Sequence, residues 1–244
     1  MKIKFLDDCA LFIKNSLVIA DLHIGIEYEM FKNGIVIPSQ VERLEKRIDS
    51  MIKKTKAKKL IILGDIKHKV PGITWQEYKE IPSFFKHFSK LKVICVKGNH
   101  DSFLERLAPK HVEIYSSKGF SFSEFAFLHG HAWPSKKLLK CKYLIIAHVH
   151  PAIEFWSGRF RSVEPCWLRC EIDKEKLEKK YGVESNLKHG IIMPAFNHLI
   201  GGMAFNSENF EPLGPLLKNK ILKWENAEVY LLDGTYLGSL DKLK

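Results

Sequence analysis

Three apolar runs in the first hundred residues, Leu17–Ala20, Leu60–Leu63 and Val93–Val96, each stop at a short polar block, and two amphipathic stretches separate them. Residues 39–55 follow Pro38 and carry Val41, Leu44, Ile48, Met51 and Ile52 at helical spacing, with Ser39 and Glu42 in the pattern of a capping box. Residues 76–89 give a second predicted helix, and Lys92–Val96 the third strand. Strands alternating with helices in this way pair in parallel, with the helices as crossovers. From about residue 111 the pattern changes to short runs with little helix between them: 111–115, 119–122, 125–128, 143–147, 152–156, 159–163 and 166–170. They predict a second, mixed or antiparallel sheet, interrupted by a charged helix near Lys174–Lys180, while 187–205 and 226–237 read as strand or loop. The expected architecture is α/β, two packed mixed sheets flanked by helices, in one domain over residues 1–244.

The blocks that end the strands share one chemistry. The first is Asp21-Leu-His23, the second Gly64-Asp65-Ile-Lys-His68, the third Gly98-Asn99-His100-Asp101. Runs 125–128 and 143–147 end likewise, in His129-Gly-His131 and His148-Val-His150. Singly, Asp-x-His or Gly-Asp is ordinary turn chemistry. Jointly, they place seven of the eleven histidines at the carboxyl ends of strands, where open α/β sheets hold ligands. Imidazole, carboxylate and amide donors without a thiolate suit manganese, iron or zinc better than magnesium alone.

Composition narrows the class. Hydrophobic content of 45% and charged content of 27% exclude wholesale disorder. No apolar run approaches the roughly 18–20 residues of a membrane span, and the start MKIKFLDDCALF lacks the pattern of a signal peptide. The five cysteines are odd in number and form no Cys-x-x-Cys pair, so a reducing cytoplasm is expected rather than a disulfide framework. Net charge is +11, with lysine dominating the basic residues. Two readings stay open for this excess: a heat-adapted surface, consistent with only two glutamines, or a polyanionic partner.

In order and block by block, these residues resemble the calcineurin-like metallophosphoesterases, with Ala147 in place of the usual glycine and His68 where many relatives carry aspartate. Two further stretches, ADLHIGIEYEMFKNGIVIP and MPAFNHLIGG (193–202), are similar to archaeal phosphoesterases related to the DNA-ligase-associated metallophosphoesterases. The resemblance runs from about residue 17 to 205 and implies a four-layer α/β/β/α sandwich. It also implies two divalent ions, manganese ahead of iron, zinc, nickel or cobalt. Asp21, His23, Asp65 and His150 would hold one, and Asp65, Asn99, His129 and His148 the other. The choice of His129 over His131 rests on the family pattern alone.

His100 diverges from Asn99 as an adjacent residue must, so it is expected to face substrate as general acid or charge stabiliser, with Asp101 orienting it. His68 and His131 are expected beside the ligands or at the substrate. Lys97, Lys136 and Lys137, with Lys67 and Lys69, are candidates for a basic rim, and Trp75 and Trp133 for base stacking; solvated lysines and packed tryptophans are the competing reading. His198 and the Gly201-Gly202 backbone stand either beside the site or in a plain turn.

The function implied is metal-dependent phosphodiester hydrolysis by direct attack of a metal-bridging hydroxide, on DNA, RNA or cyclic nucleotides. Two divalent ions, less two carboxylates and one hydroxide, leave one positive charge, which a diester monoanion neutralises and a monoester dianion exceeds. The competing functions are a phosphomonoesterase and a non-catalytic, metal-containing subunit of a nucleic-acid repair complex. A nucleic-acid-processing protein is a candidate partner, and no membrane is expected.

Overall fold

Parallel pairing of the three apolar runs builds the first sheet. The computed structural model describes residues 3–243. The first half contains β1 (Lys4–Leu6), β2 (Ala10–Ile13), β3 (Ser16–Ile19), α1 (Ile26–Lys32), α2 (Val41–Thr55), β4 (Lys59–Leu63), α3 (Trp75–His87), β5 (Lys92–Val96) and β6 (Val112–Tyr115). The six strands lie in the order β1-β2-β3-β4-β5-β6. Strands β3 to β6 are parallel, and the register Ile19↔Ile62↔Cys95 brings the first three polar blocks to one edge.

Run 111–115 does not belong to the second sheet, as its sequence context suggests, but pairs with β5 as β6. The crossover to it holds only a short 3₁₀ turn, Leu104–Arg106, so no helical periodicity marks it. The β1–β2 hairpin is also additional, with strands too short to carry a period.

The second sheet takes β7 (Phe120–Phe122), β8 (Phe125–Phe127), β9 (Tyr143–Ile146), β10 (Pro151–Ser157), β11 (Phe160–Glu171), β12 (His189–Ile192) and β13 (Met203–Ala204), with β14 (Glu228–Leu231) and β15 (Tyr236–Ser239) attached through β11. It is mixed: β8, β9 and β12 run parallel, while β11 is antiparallel to β10, β12 and β14. Helix α4 (Lys174–Tyr181) falls where its charge pattern predicts, and α5 (Gly214–Lys218) follows β13.

Alternation within each strand explains the layers. Val18, Ile61 and Ile94 face Phe127, Ile145, Trp167 and Ile191 between the sheets. Leu17, Ile19, Leu60 and Ile62 point outward against Leu44 and Ile48 of α2 and Phe84 and Phe85 of α3. Leu144, Ile146 and Ile192 pack outward against Leu177 of α4 and Leu216 and Leu217 of α5. Parallel strands covered on both faces read as unbroken apolar runs, which is how they look in the sequence.

The capping box expected at Ser39 does not form. Gln40 occupies the N-cap of α2 without a side-chain cap bond, its Nε2 donating to Pro38 O (2.8 Å), and Glu42 pairs with Lys46 at 2.6 Å. The box occurs in α3, where Thr74 accepts from Glu77 N and Glu77 Oε2 accepts from Thr74 N. All five cysteines are free and buried. Among the described residues no helix is long and apolar enough to cross a membrane.

Candidate metal centre

The five polar blocks meet at the carboxyl ends of β3, β4, β5, β8 and β9. Past the strand ends, the first two stay in register through Asp21 N donating to Gly64 O (3.1 Å) and His23 N to Asp65 O (2.8 Å). Ala147 N donates to His129 O (2.8 Å), which ties the last two. Asp21, His23, Asp65, His148 and His150 all have left-handed backbone, with φ of 56°, 44°, 49°, 76° and 42°. Such conformations cost on the order of 1–3 kcal/mol each for non-glycine residues and persist where surrounding structure enforces them.

Two glycines make the approach possible. A Cβ on Gly64 (φ 81°) would lie 2.4 Å from His129 Nδ1, and one on Gly98 would lie 2.1 Å from Asp65 Oδ1. The Gly-Asp and Gly-Asn pairs are therefore packing requirements of the centre.

Asp65 is the hub. Its Oδ2 lies 3.3 Å from His129 Nε2, 3.7 Å from His23 Nε2 and 4.0 Å from His100 Nε2. Asp21 Oδ1 lies 3.4 Å from His150 Nε2 and 3.7 Å from His129 Nδ1. Asn99 Oδ1 is 3.2 Å from His129 Nε2. Asp21, His23 and His150 bring one donor each within 4.8 Å of one another, and so do Asp65, His129 and His148.

These residues fit divalent cations. Asp21 Oδ1, His23 Nε2 and His150 Nε2 are buried without a hydrogen-bond partner, a costly state that a coordinated ion relieves. Among the described residues, every ion-pair contact of the buried Asp21 and Asp65 is to a histidine. The donors are nitrogen and oxygen, a set that borderline divalent metals favour.

The charge distribution agrees. Burial alone would raise the Asp65 pKa, but His129, by charge and hydrogen bond, holds it well below the usual carboxylate range. Burial likewise opposes ionisation of Asp21, and His150 reverses it. Burial would lower the His129 pKa, yet Asp65 lifts it to about 9. Burial brings His23 down to about 3, and burial with the His129 charge brings His148 to about 4. The two carboxylates thus create a strongly cation-seeking interior, and the neutral imidazoles of His23 and His148 retain lone pairs for coordination.

A third group, His23, His68 and His100, also clusters. Hydrogen bonds account for it. His68 Nδ1 lies 3.2 Å from His23 Nδ1 and His68 Nε2 lies 3.1 Å from Glu29 Oε2, while His100 Nδ1 donates to the His68 carbonyl.

The Asp101 carboxylate makes no hydrogen bond to the His100 ring, contrary to the role expected for it. Its buried carboxylate accepts from Ile66 N (2.8 Å), Lys67 N (3.3 Å) and Gly98 N (2.8 Å), fastening the second block to the third. Successive side chains diverge, so the residue after His100 points back into the fold. Burial, reinforced by the charge of Asp65, raises its pKa to about 6.

The expected basic rim is only partly present. Lys67 is fully buried, its ammonium bonded to the carbonyls of Lys69 and Gly72. Lys97 is engaged by Glu105 at 2.7 Å. Lys136 and Lys137 are exposed on a 3₁₀ turn, without an ion-pair partner among the described residues. Trp75 is 78% exposed, and the half-buried Trp133 carries Lys180 Nζ 3.8 Å from its ring centroid. His131 sits 5.2 Å from His129, ring to ring, with its Nδ1 buried and unpartnered.

The stretch MPAFNHLIGG draws attention to His198, but the preceding residue does more. Asn197 is buried; its Nδ2 donates to Leu22 O (2.7 Å) and its backbone N to Asp21 O (3.3 Å), bracing the first block. His198 Nε2 lies 2.9 Å from an Arg47 nitrogen, and Arg47 also grips Asp8 and the Phe196 carbonyl. Glu77, besides capping α3, accepts from His68 N (2.9 Å) and Lys69 N (2.6 Å). Glu29, Arg47, Glu77 and Asn197 lie outside the five blocks; Glu29 and Asn197 fall within the two further stretches singled out in the sequence, but nothing local marks them as partners of the blocks.

The sequence profile of the calcineurin-like phosphoesterases matches residues 15–184. No curated protein sequence matches the chain significantly. Among solved structures, the nuclease MPE of Pseudomonas putida is similar in fold, with a TM-score of 0.59 and 21% identity over 96% of this chain and 94% of that one. Yfce, a phosphoesterase from E. coli, aligns at a TM-score of 0.43 and 14% identity over 91% of this chain and 96% of that one.

Proposed function

The chain belongs to the calcineurin-like phosphoesterase family, and on that premise we propose that it is a phosphodiesterase working with two divalent ions, manganese foremost. Asp21, His23, Asp65 and His150 would hold one ion and Asp65, Asn99, His129 and His148 the other. The observation that carries this reading is the hub at Asp65, whose Oδ2 faces His23 at 3.7 Å and His129 at 3.3 Å, from two different blocks. When bound, the ions supply Lewis acidity toward phosphoryl oxygens and lower the pKa of water.

The remaining work falls to side chains of this protein. His100 Nδ1 is tied to the His68 carbonyl, which fixes the ring and leaves Nε2 on the side of Asp65. In its protonated form His100 donates from Nε2 to the leaving oxygen, or to a phosphoryl oxygen as charge builds. Asp101 positions this block through three backbone bonds rather than through the ring. No thiol is available as nucleophile, since all five are buried.

With a hydroxide nucleophile counted, two carboxylates against two divalent ions would leave one positive charge, which suits a monoanionic diester. The substrate class proposed is a nucleotide or nucleic-acid diester, supported by the net charge of +11. Kinship with the DNA-ligase-associated subgroup is part of the same proposal and rests on the stretches around Asp21 and Asn197. The test compares bis(p-nitrophenyl) phosphate, p-nitrophenyl phosphate and short oligonucleotides in manganese buffer. Faster turnover of the diester and a steep fall of oligonucleotide cleavage with salt are expected. Preference for the monoester would replace the diesterase reading by the phosphomonoesterase one.

A further inference from the structure

A cavity of about 560 Å³ opens directly beside His150. That volume lies inside the range of roughly 300–1,000 Å³ typical of small-molecule sites. One wall is a face of the β10–β11 hairpin. Cross-strand pairing puts Ala152 opposite Pro165, the Glu154 position opposite Val163, and Trp156 opposite Arg161, so these share a face. The other wall is the loop 195–202, with Ile200 and the Gly201-Gly202 backbone. Gly202 lets this loop lie against the hairpin, since a Cβ there would meet Ala152 Cβ at 2.5 Å. Gly201 leaves open space, for a Cβ there would meet nothing within 4 Å.

The chemistry of the walls is asymmetric. Short apolar groups line the interior, with two polar side chains at its edge: Arg161, whose Nε donates to Glu154 Oε2 (2.8 Å), and His198, whose Nε2 lies 2.9 Å from an Arg47 nitrogen. Both are about half exposed, at 47% and 48% of the side chain. Trp156, 61% exposed, continues the same hairpin face outward. A flat, weakly polar group attached to a phosphate at the metal centre meets all three features. Apolar walls take the ring, the remaining guanidinium N–H groups of Arg161 meet its polar edge or a following phosphate, and the indole offers a stacking surface.

We infer that this cavity binds the nucleoside joined to the scissile phosphate on the His150 side. The inference rests on the phosphodiesterase reading and adds the specificity pocket to it. Without such a pocket, the identity of the ester group would have little influence on turnover.

The test measures kcat/KM for methyl p-nitrophenyl phosphate and for the p-nitrophenyl ester of thymidine 5′-phosphate, in the wild-type enzyme and in Gly201→Leu. The wild type is expected to prefer the nucleoside ester by about tenfold or more, equivalent to about 1.4 kcal/mol of apolar contact. Gly201→Leu fills the open space and removes that preference through KM. Arg161→Ala, at a half-exposed position paired with Glu154, is expected to reduce it as well.

Equal rates on the two esters in the wild type, or an undiminished preference in both variants, overturns the pocket while diester hydrolysis stands. If neither ester is cleaved, the phosphodiesterase reading fails instead, and equilibrium dialysis with adenosine still decides the pocket. Adenosine retained by the wild type and released by Gly201→Leu supports it; no retention overturns it. Oligothymidylate displacing adenosine better than thymidine 5′-monophosphate identifies a nucleic acid as the source of the nucleoside, and equal displacement identifies a free nucleotide. Failure of both to displace it overturns the assignment.

Discussion

His68 Nδ1 lies 3.2 Å from His23 Nδ1, and the far nitrogen of His68 lies 3.1 Å from Glu29 Oε2. A carboxylate thus fixes one imidazole, which accepts the N–H of a second and leaves His23 Nε2 bare toward Asp65. Partners behind a metal-binding histidine typically matter by about 10–100-fold in metal affinity. His68→Leu should therefore weaken manganese binding by about that factor at one of two sites, read by titration. His68→Gln, which retains an acceptor for His23 and a donor for Glu29, should recover most of the loss. Equal affinity in wild type and His68→Leu would remove the relay.

Gly98 packs so closely on Asp65 that a methyl group there would lie 2.1 Å from Oδ1 and 2.4 Å from its backbone N. Oδ1 is held by His100 N (2.9 Å) and the other atom is backbone, so Gly98→Ala must move the hub. The expected outcome is a stability loss of about 1–3 kcal/mol, as for other overpacked interiors, together with loss of tight manganese binding. Denaturant unfolding and metal titration on the same sample check both. An alanine variant that binds the metal normally would show that the hub tolerates displacement.

Asp8 gives a pH dependence away from the centre. Burial works against its ionisation, but hydrogen bonds from His198 and Arg47, with the guanidinium charge, hold its pKa well below the ordinary 3.8. A carboxylate depressed in the folded state stabilises above its unfolded pKa, and that contribution is lost as pH falls through the folded value. Asp8→Asn should therefore be less stable than wild type at pH 7, with the gap narrowing in strong acid. Melting curves across pH check this, and a gap that stays constant at all pH would contradict it.

Variants of His100 and Asp65 would separate the proposed chemistry from metal binding. His100→Asn should keep both ions and lose about 10²–10⁴ in kcat, the usual worth of a positioned acid. Asp65→Asn should lose ions and turnover together. Full activity in His100→Asn would take the acid role away from this residue.

Much of this architecture is legible in the sequence because parallel strands covered on both faces leave unbroken apolar runs. Leu60–Leu63 and Lys92–Val96 need little context, and the blocks after them stand out by their chemistry. Strand β6 is not legible as part of the first sheet, since pairing partners are set by a crossover that has no periodic helix. Ser39 and Glu42 match a capping pattern, but Ser39 Oγ accepts from Val41 N and Glu42 pairs with Lys46 one turn along the same helix, so other local partners take both side chains. Asp101 misleads for a related reason: a residue next to a catalytic candidate in sequence points away from it in space. Glu29 acts on the second block from a helix face and Asn197 on the first from a distant loop, so only the folded chain brings them there.

If separate strand ends build one two-ion centre around Asp65, anomalous diffraction from manganese-soaked crystals of the protein tests it most directly. Two peaks about 3.5–4 Å apart are predicted, one among Asp21, His23 and His150 and the other among Asn99, His129 and His148, with Asp65 between them. A single peak, or peaks remote from Asp65, would contradict it.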